Sequence, residues 1–111
     1  MALEWDGEDA RAFHLLAVSD GGDPIATARL LATGQIGRMA VLPAWRGRGV
    51  GRAMLIRLLE HIERNHLPSP FLHAQTSALG FYAKLGFVAE GERFMDAGIP
   101  HVHMRYMPFE E

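Results

Sequence analysis

The chain has 111 residues, 49% of them hydrophobic and 22% charged, which is the size and composition of one folded domain and not of a disordered segment. Eleven Lys+Arg against 13 Asp+Glu leave a formal charge of −2, so the strongly basic footprint of a dedicated nucleic-acid binder is absent and no nucleic-acid partner is expected. No cysteine occurs, which removes disulfides, thiolate metal sites and a Cys nucleophile and fits a reducing cytoplasm, the expected location.

The opening residues Met1-Ala2-Leu3-Glu4-Trp5-Asp6 carry no basic start and no apolar run, so they are not expected to act as a signal peptide. No apolar run reaches the roughly 18 residues of a membrane span, and no membrane partner is expected. Residues 1–11 read as acidic and irregular, with Glu4, Asp6, Glu8 and Asp9. Ala12 to Val18 is apolar and predicts a strand. Asp20-Gly21-Gly22-Asp23-Pro24 is a turn, with Gly for positive φ and Pro for a fixed φ. Ile25 to Ala32 predicts the second arm of a hairpin. After Thr33-Gly34, Gln35 to Leu42 predicts a third strand, which Pro43 ends because it has no N–H for a ladder.

The strongest helix follows. Leu55, Leu58, Leu59 and Ile62 fall at i, i+3, i+4 and i+7, while Arg57, Glu60, Glu63 and Arg64 take the other face. Asn65 and Pro68 stop it. Phe71 to Ala74 predicts a short strand, and Ser77 to Leu85 a second helix ended by Gly86. Phe87 to Ala89 and Val102 to Met107 predict the last two strands. The order is β-β-β-α-β-α-β-β, a mixed α/β layered domain over residues 1–111. Trp5, Trp45 and the six methionines read as packing residues.

The chemistry lies between the third strand and the long helix, in Val41-Leu42-Pro43-Ala44-Trp45-Arg46-Gly47-Arg48-Gly49-Val50-Gly51-Arg52. Free backbone N–H groups of such a turn can converge on one anion. The helix start adds about half a positive charge, and Arg46, Arg48 and Arg52 add full ones. Glycines let the backbone approach phosphate oxygens. The stretch predicts a pyrophosphate site. It lacks the Gly-Lys-Ser/Thr of a Walker loop, and Arg52 stands where a dinucleotide fingerprint needs its third Gly.

Arg46-Gly47-Arg48-Gly49-Val50-Gly51 resembles the Arg/Gln-x-x-Gly-x-Gly/Ala pyrophosphate loop of the GNAT superfamily of acyl-CoA N-acyltransferases. About 30 residues on, Ala78-Leu79-Gly80-Phe81-Tyr82-Ala83-Lys84-Leu85-Gly86-Phe87 resembles that superfamily's second signature. His73-Ala74-Gln75 and Ala97-Gly98-Ile99-Pro100-His101-Val102 are similar to its ElaA/YjcF-like subgroup. The resemblance covers residues 12 to 107. It implies a mostly antiparallel sheet flanked by helices and an acetyl-CoA-dependent N-acetyltransferase that moves acetyl directly to a small primary amine.

The resemblance also implies roles. The backbone of Met39, Ala40 and Val41 is expected along the pantetheine and, through an N–H, at the developing oxyanion. Arg46, Gly47, Arg48, Gly49, Val50, Gly51 and Arg52 are expected around the pyrophosphate. Gln75 is expected at the pantetheine arm. Tyr82 is expected at the sulfur, where a phenol can protonate the departing thiolate. The base is open among Glu4, Asp6, His73, His101 and His103, with His73 expected to serve. No metal is expected: His73, His101 and His103 lack a spaced fourth ligand.

The chain departs from the superfamily's pattern at its start, where a strand and two helices are expected to be missing. That leaves an open sheet edge and predicts a homodimer. Two other roles fit the same residues: a non-catalytic CoA-binding or sensory module, and an interaction protein that pairs through its sheet edge.

Overall fold

The computed structural model describes residues 1–8 and 11–108; Asp9 and Ala10, part of the stretch read as irregular, lie outside the described residues. Two compact units divide the chain, Met1–Pro68 and Ser69–Glu111.

The first unit is an antiparallel meander of β1 (Ala2–Glu8), β2 (Ala12–Val18), β3 (Pro24–Leu31) and β4 (Gln35–Val41), followed by a 3-10 turn at Pro43–Trp45 and helix α1 (Val50–Arg64). Helix α1 packs on β2, β3 and β4. Leu15, Leu30, Met54, Leu55 and Leu58 are fully buried, so the predicted apolar stripe faces inward. Asn65 caps the helix as expected: its side chain donates to the carbonyl of His61 at 2.9 Å.

Strand β1 corrects the irregular reading of the first residues: it pairs with β2 and itself forms an edge of the sheet. Its Leu3 pairs with Ala17 and its Trp5 with Leu15. Glu4 and Asp6 alternate with these two side chains, so they take the outer face of an edge strand instead of forming a loop. Trp5 lies edge-on to Phe13 at 6.5 Å and against the His61 ring of α1 at 4.4 Å.

The second unit holds β5 (Phe71–Gln75), a 3-10 turn at Thr76–Ala78, helix α2 (Leu79–Ala83), β6 (Phe87–Asp96) and β7 (Ile99–Tyr106). Strand β7 lies between β5 and β6, antiparallel to both. Leu72, Ala74, Phe87, Val102 and Met104 are buried. Strand β6 is far longer than Phe87 to Ala89, because its remaining residues are exposed and carry no apolar alternation. A two-residue turn, Ala97 and Gly98 with φ of 52° and 76°, joins it to β7, the geometry that matches the twist of a hairpin. Helix α2 is shorter than Ser77 to Leu85, since its first turn winds as a 3-10 helix. Among the described residues no helix is long and apolar enough to cross a membrane.

Candidate functional site

The end of β4 is irregular. Ala40 pairs with Thr27 and Gly37 with Arg29, so Arg38 and Met39 together stand opposite Ala28. This is a β-bulge, and Arg38 takes a φ of 49° to make it. A bulge leaves a residue out of the ladder and frees its backbone groups. The disruption falls at the Met39, Ala40 and Val41 segment singled out from the sequence.

Beyond β4 the chain turns through Pro43–Trp45 and reaches Gly47 and Gly49, with φ of 76° and 82°. Side chains rarely adopt these values. A Cβ built on either glycine meets nothing within 4 Å, so the backbone here faces open space. Gly49 is the N-cap of α1, with no side-chain cap and no acid in the first turn. The first N–H groups of a 15-residue helix therefore have no carboxylate of their own turn to receive them.

The arginines are partly positioned. The Nε of Arg46 donates to the carbonyl of Val41 at 3.0 Å. That hydrogen bond ties the guanidinium to the end of β4 and leaves its other nitrogens to reach outward. The Arg48 guanidinium sits 5.1 Å from the centre of the Trp45 ring, a cation–π contact that carries a charge on a flat surface. Arg52 is exposed on the first turn of α1. An uncapped helix start, an open glycine cradle and three guanidiniums form a donor set that fits a pyrophosphate.

In the second unit, alternation along β5, β7 and β6 builds one face from three cross-strand rows. Phe71, Arg105 and Val88 form the first row; His73, His103 and Glu90 the second; Gln75, His101 and Phe94 the third. The His73 ring lies 5.4 Å from His103 and edge-on to Phe94 at 5.2 Å. Partial burial and the neighbouring imidazoles of His103 and His101 hold His73 below the usual histidine range, against a smaller opposing pull from Asp96. Glu90 reaches the Nε2 of His103 at 3.6 Å and the Nε of Arg105 at 3.2 Å. Sequence reasoning missed Glu90; its only signal was a place on a strand that was read as ending at Ala89.

Tyr82 sits on α2 between aromatic neighbours, edge-on to Phe81 at 5.0 Å and to Phe87 at 6.0 Å. Burial pushes its phenol above the ordinary range, so the group stays protonated. Its neighbour Phe81 is 39% exposed. Glu4 and Asp6 lie exposed on β1. The structure thus brings Met39–Val41 and the 46–52 loop together within the first unit. It brings His73 and Gln75 together with His101 and His103 on one face of the second. Among the described residues no group of three or more His, Cys, Asp or Glu is arranged to hold a metal ion.

Comparison with known proteins gives a consistent result. The family model described as an acetyltransferase (GNAT) domain matches residues 4–108. YjcF of Bacillus subtilis, an uncharacterized N-acetyltransferase, is 37% identical over 94 residues, covering 80% of this chain and 66% of YjcF. An acyl-CoA N-acyltransferase structure from Pseudomonas aeruginosa is 37% identical, with a TM-score of 0.76 over 85% of this chain and 67% of its own. Escherichia coli ElaA is 29% identical by structure, with a TM-score of 0.74 over 85% of this chain and 67% of its own.

Proposed function

The chain belongs to the acetyltransferase (GNAT) domain family, in the company of ElaA and YjcF, and from that premise we propose that it carries acetyl from acetyl-CoA directly to a primary amine. Acyl transfer is the activity of the family, and the chain is an acyltransferase with the family's mixed, mostly antiparallel α/β fold. The observation that carries the finer reading is the open Arg46–Arg52 cradle at the uncapped start of α1. Residues 1–111 act in this reading as one acetyltransferase domain, of which the family model matches 4–108.

Acetyl-CoA supplies a thioester carbonyl activated for attack by nitrogen. Arg46, Arg48, Arg52 and the N–H groups of Gly47 to Gly51 hold its pyrophosphate. Gln75 holds its pantetheine arm, as does the backbone of Met39 to Val41. The bulge at Arg38 and Met39 offers a strand N–H to the carbonyl oxygen as charge gathers there. His73, kept a free base by its surroundings, takes one proton from the acceptor ammonium. The nitrogen lone pair then forms the new C–N bond, and the C–S bond breaks. Tyr82, kept protonated by burial, gives its proton to the departing sulfur, and its phenolate is reprotonated by the second proton that the acylated nitrogen sheds to leave the neutral amide. No acyl-enzyme is formed, consistent with the absence of Cys. The small amine acceptor, a cytoplasmic location and a homodimeric state complete this reading.

The test is calorimetric titration with CoA, followed by a thiol-release assay with acetyl-CoA and a panel of polyamine, aminoglycoside, amino acid and peptide amines. Binding with transfer to at least one amine supports the proposal. Binding without transfer to any panel member selects the non-catalytic CoA module. No binding at all removes both and leaves the interaction protein.

A further inference from the structure

The third cross-strand row contains a detail that the proposed roles of His73 and Tyr82 do not use. The Nδ1 of His101 lies 2.7 Å from the carbonyl oxygen of Ile99. A carbonyl oxygen only accepts, so Nδ1 carries the hydrogen. In the neutral ring that leaves Nε2 with the lone pair: the backbone fixes which nitrogen is the acceptor. The ring plane is fixed as well. His101 stacks on Phe94 at 5.8 Å with 24° between the planes, and the same Phe94 receives the edge of His73. A histidine with one nitrogen tied to the backbone and its plane held by an aromatic ring presents a directed acceptor.

Its neighbours say what that acceptor serves. Gln75 is the direct cross-strand partner of His101, and such partners stand about 4.5–5.5 Å apart at Cβ. On the reading above, Gln75 holds the pantetheine arm, so His101 stands one strand spacing from the arm that brings the acetyl group. The other ionisable groups of this face are His73 on β5, His103 and Arg105 on β7, and Glu90 and Asp96 on β6. Glu90 is engaged with His103 and Arg105. We propose that His101 is the acceptor-orienting residue of the site: its Nε2 takes a hydrogen bond from one N–H of the acceptor ammonium and aims another N–H at His73, which takes that proton. The ligand chemistry follows. Nε2 receives a group that presents N–H donors, and it rejects one that presents only oxygen lone pairs, such as a carboxylate or a phosphate. His101 forms and breaks no bond in the transfer.

This inference rests on the acetyltransferase reading, and its test separates the two. Side-chain 15N NMR of the unliganded protein above pH 7.5, a point about one unit above the ordinary histidine range, should find the His101 hydrogen on Nδ1. A hydrogen on Nε2 overturns the proposal without touching the transferase reading. His101→Phe keeps a ring to stack on Phe94 and removes the lone pair. With an amine that the wild-type protein acetylates, the variant should raise KM for the amine by about 10-fold or more, as for a hydrogen bond to a charged donor. Its KM for acetyl-CoA should not move. An unchanged amine KM in a folded variant overturns the proposal, and an equal rise in both values overturns it in favour of a structural role. If the wild-type protein acetylates nothing, the transferase reading itself has failed and this role falls with it.

Discussion

The Nε of Arg46 donates to the carbonyl of Val41 across 3.0 Å, which couples the first arginine of the glycine-rich loop to the last residue of the bulged strand. One hydrogen bond thus spans the piece of backbone proposed to face the acetyl group and the piece proposed to face the pyrophosphate. Replacing both Arg46 and Arg48 by Ala should weaken CoA binding from several-fold to a hundredfold, since charge-assisted hydrogen bonds contribute roughly 1.5–3 kcal/mol each. Calorimetry with CoA measures this directly, and an unchanged Kd would refute the cradle.

Tyr82→Phe separates packing from chemistry, because Phe keeps the ring against Phe81 and Phe87 and loses only the O–H. The variant should fold and bind CoA like the wild type. Its kcat should fall by at least ~10²-fold, the typical range for loss of a positioned acid. Near-full turnover would assign the proton to another donor.

His73 supplies a pH test. Its folded-state pKa is lowered from 6.5 by burial and by the His103 and His101 imidazoles. The unfolded chain therefore binds the proton more readily than the folded one. The resulting stabilisation is present above pH 6.5 and is lost as pH falls below it through the folded value. His73→Gln removes the titrating group, so Tm should decline less from pH 7 to pH 5 than in the wild type. Parallel curves for the two proteins would contradict the shift.

Gly86 holds a tight position at the end of the second signature. Its φ is 100°, and an added Cβ would lie 2.9 Å from Cε1 of Tyr106 and 3.2 Å from Cα of Pro108. Backbone strain of this kind costs of order 1–3 kcal/mol. Gly86→Ala should lower Tm by about 4–8 °C for each kcal/mol lost. A variant that melts with the wild type would show that the turn relaxes freely.

The tip of the second unit offers a test of the proposed homodimer. Phe94, Met95 and Ile99 are 36%, 65% and 41% exposed and cluster around one hairpin turn. Apolar side chains grouped this way mark an interaction surface. Sedimentation velocity at micromolar concentration should find a dimer in the wild type and a monomer in Met95→Glu. A wild-type monomer would leave the tip without this role.

The sequence carried most of the fold because its signals are strong where burial decides structure. Leu55, Leu58 and Ile62 announced α1, and the glycine and proline turns bounded the strands. It hid β1 because an edge strand needs only Leu3 and Trp5 on its inner side, and the surrounding acids look like loop. It hid most of β6 for the same reason. The loop at Arg46–Arg52 was legible since glycine and arginine at a helix start serve few other purposes. The grouping of His73 with His101 and His103 depends on β5 lying beside β7, a pairing between residues some 30 apart in sequence that no local pattern encodes. The fixed tautomer of His101 depends on a carbonyl orientation and has no sequence signal.

The bulge in β4 is built from chain length. Arg38 and Met39 occupy the space of one residue opposite Ala28, and the backbone groups they release would be released by many other side chains. Substitution scanning along this strand would therefore report tolerance and understate its importance. Removal of a single residue between Gly37 and Ala40 would restore the regular ladder and return those groups to pairing. With Ala40 still opposite Thr27 and Val41 opposite Ala26, every following side chain would keep its face of the sheet, so the loss would fall on the released backbone groups alone. What this strand contributes is carried by the number of its residues more than by their kinds.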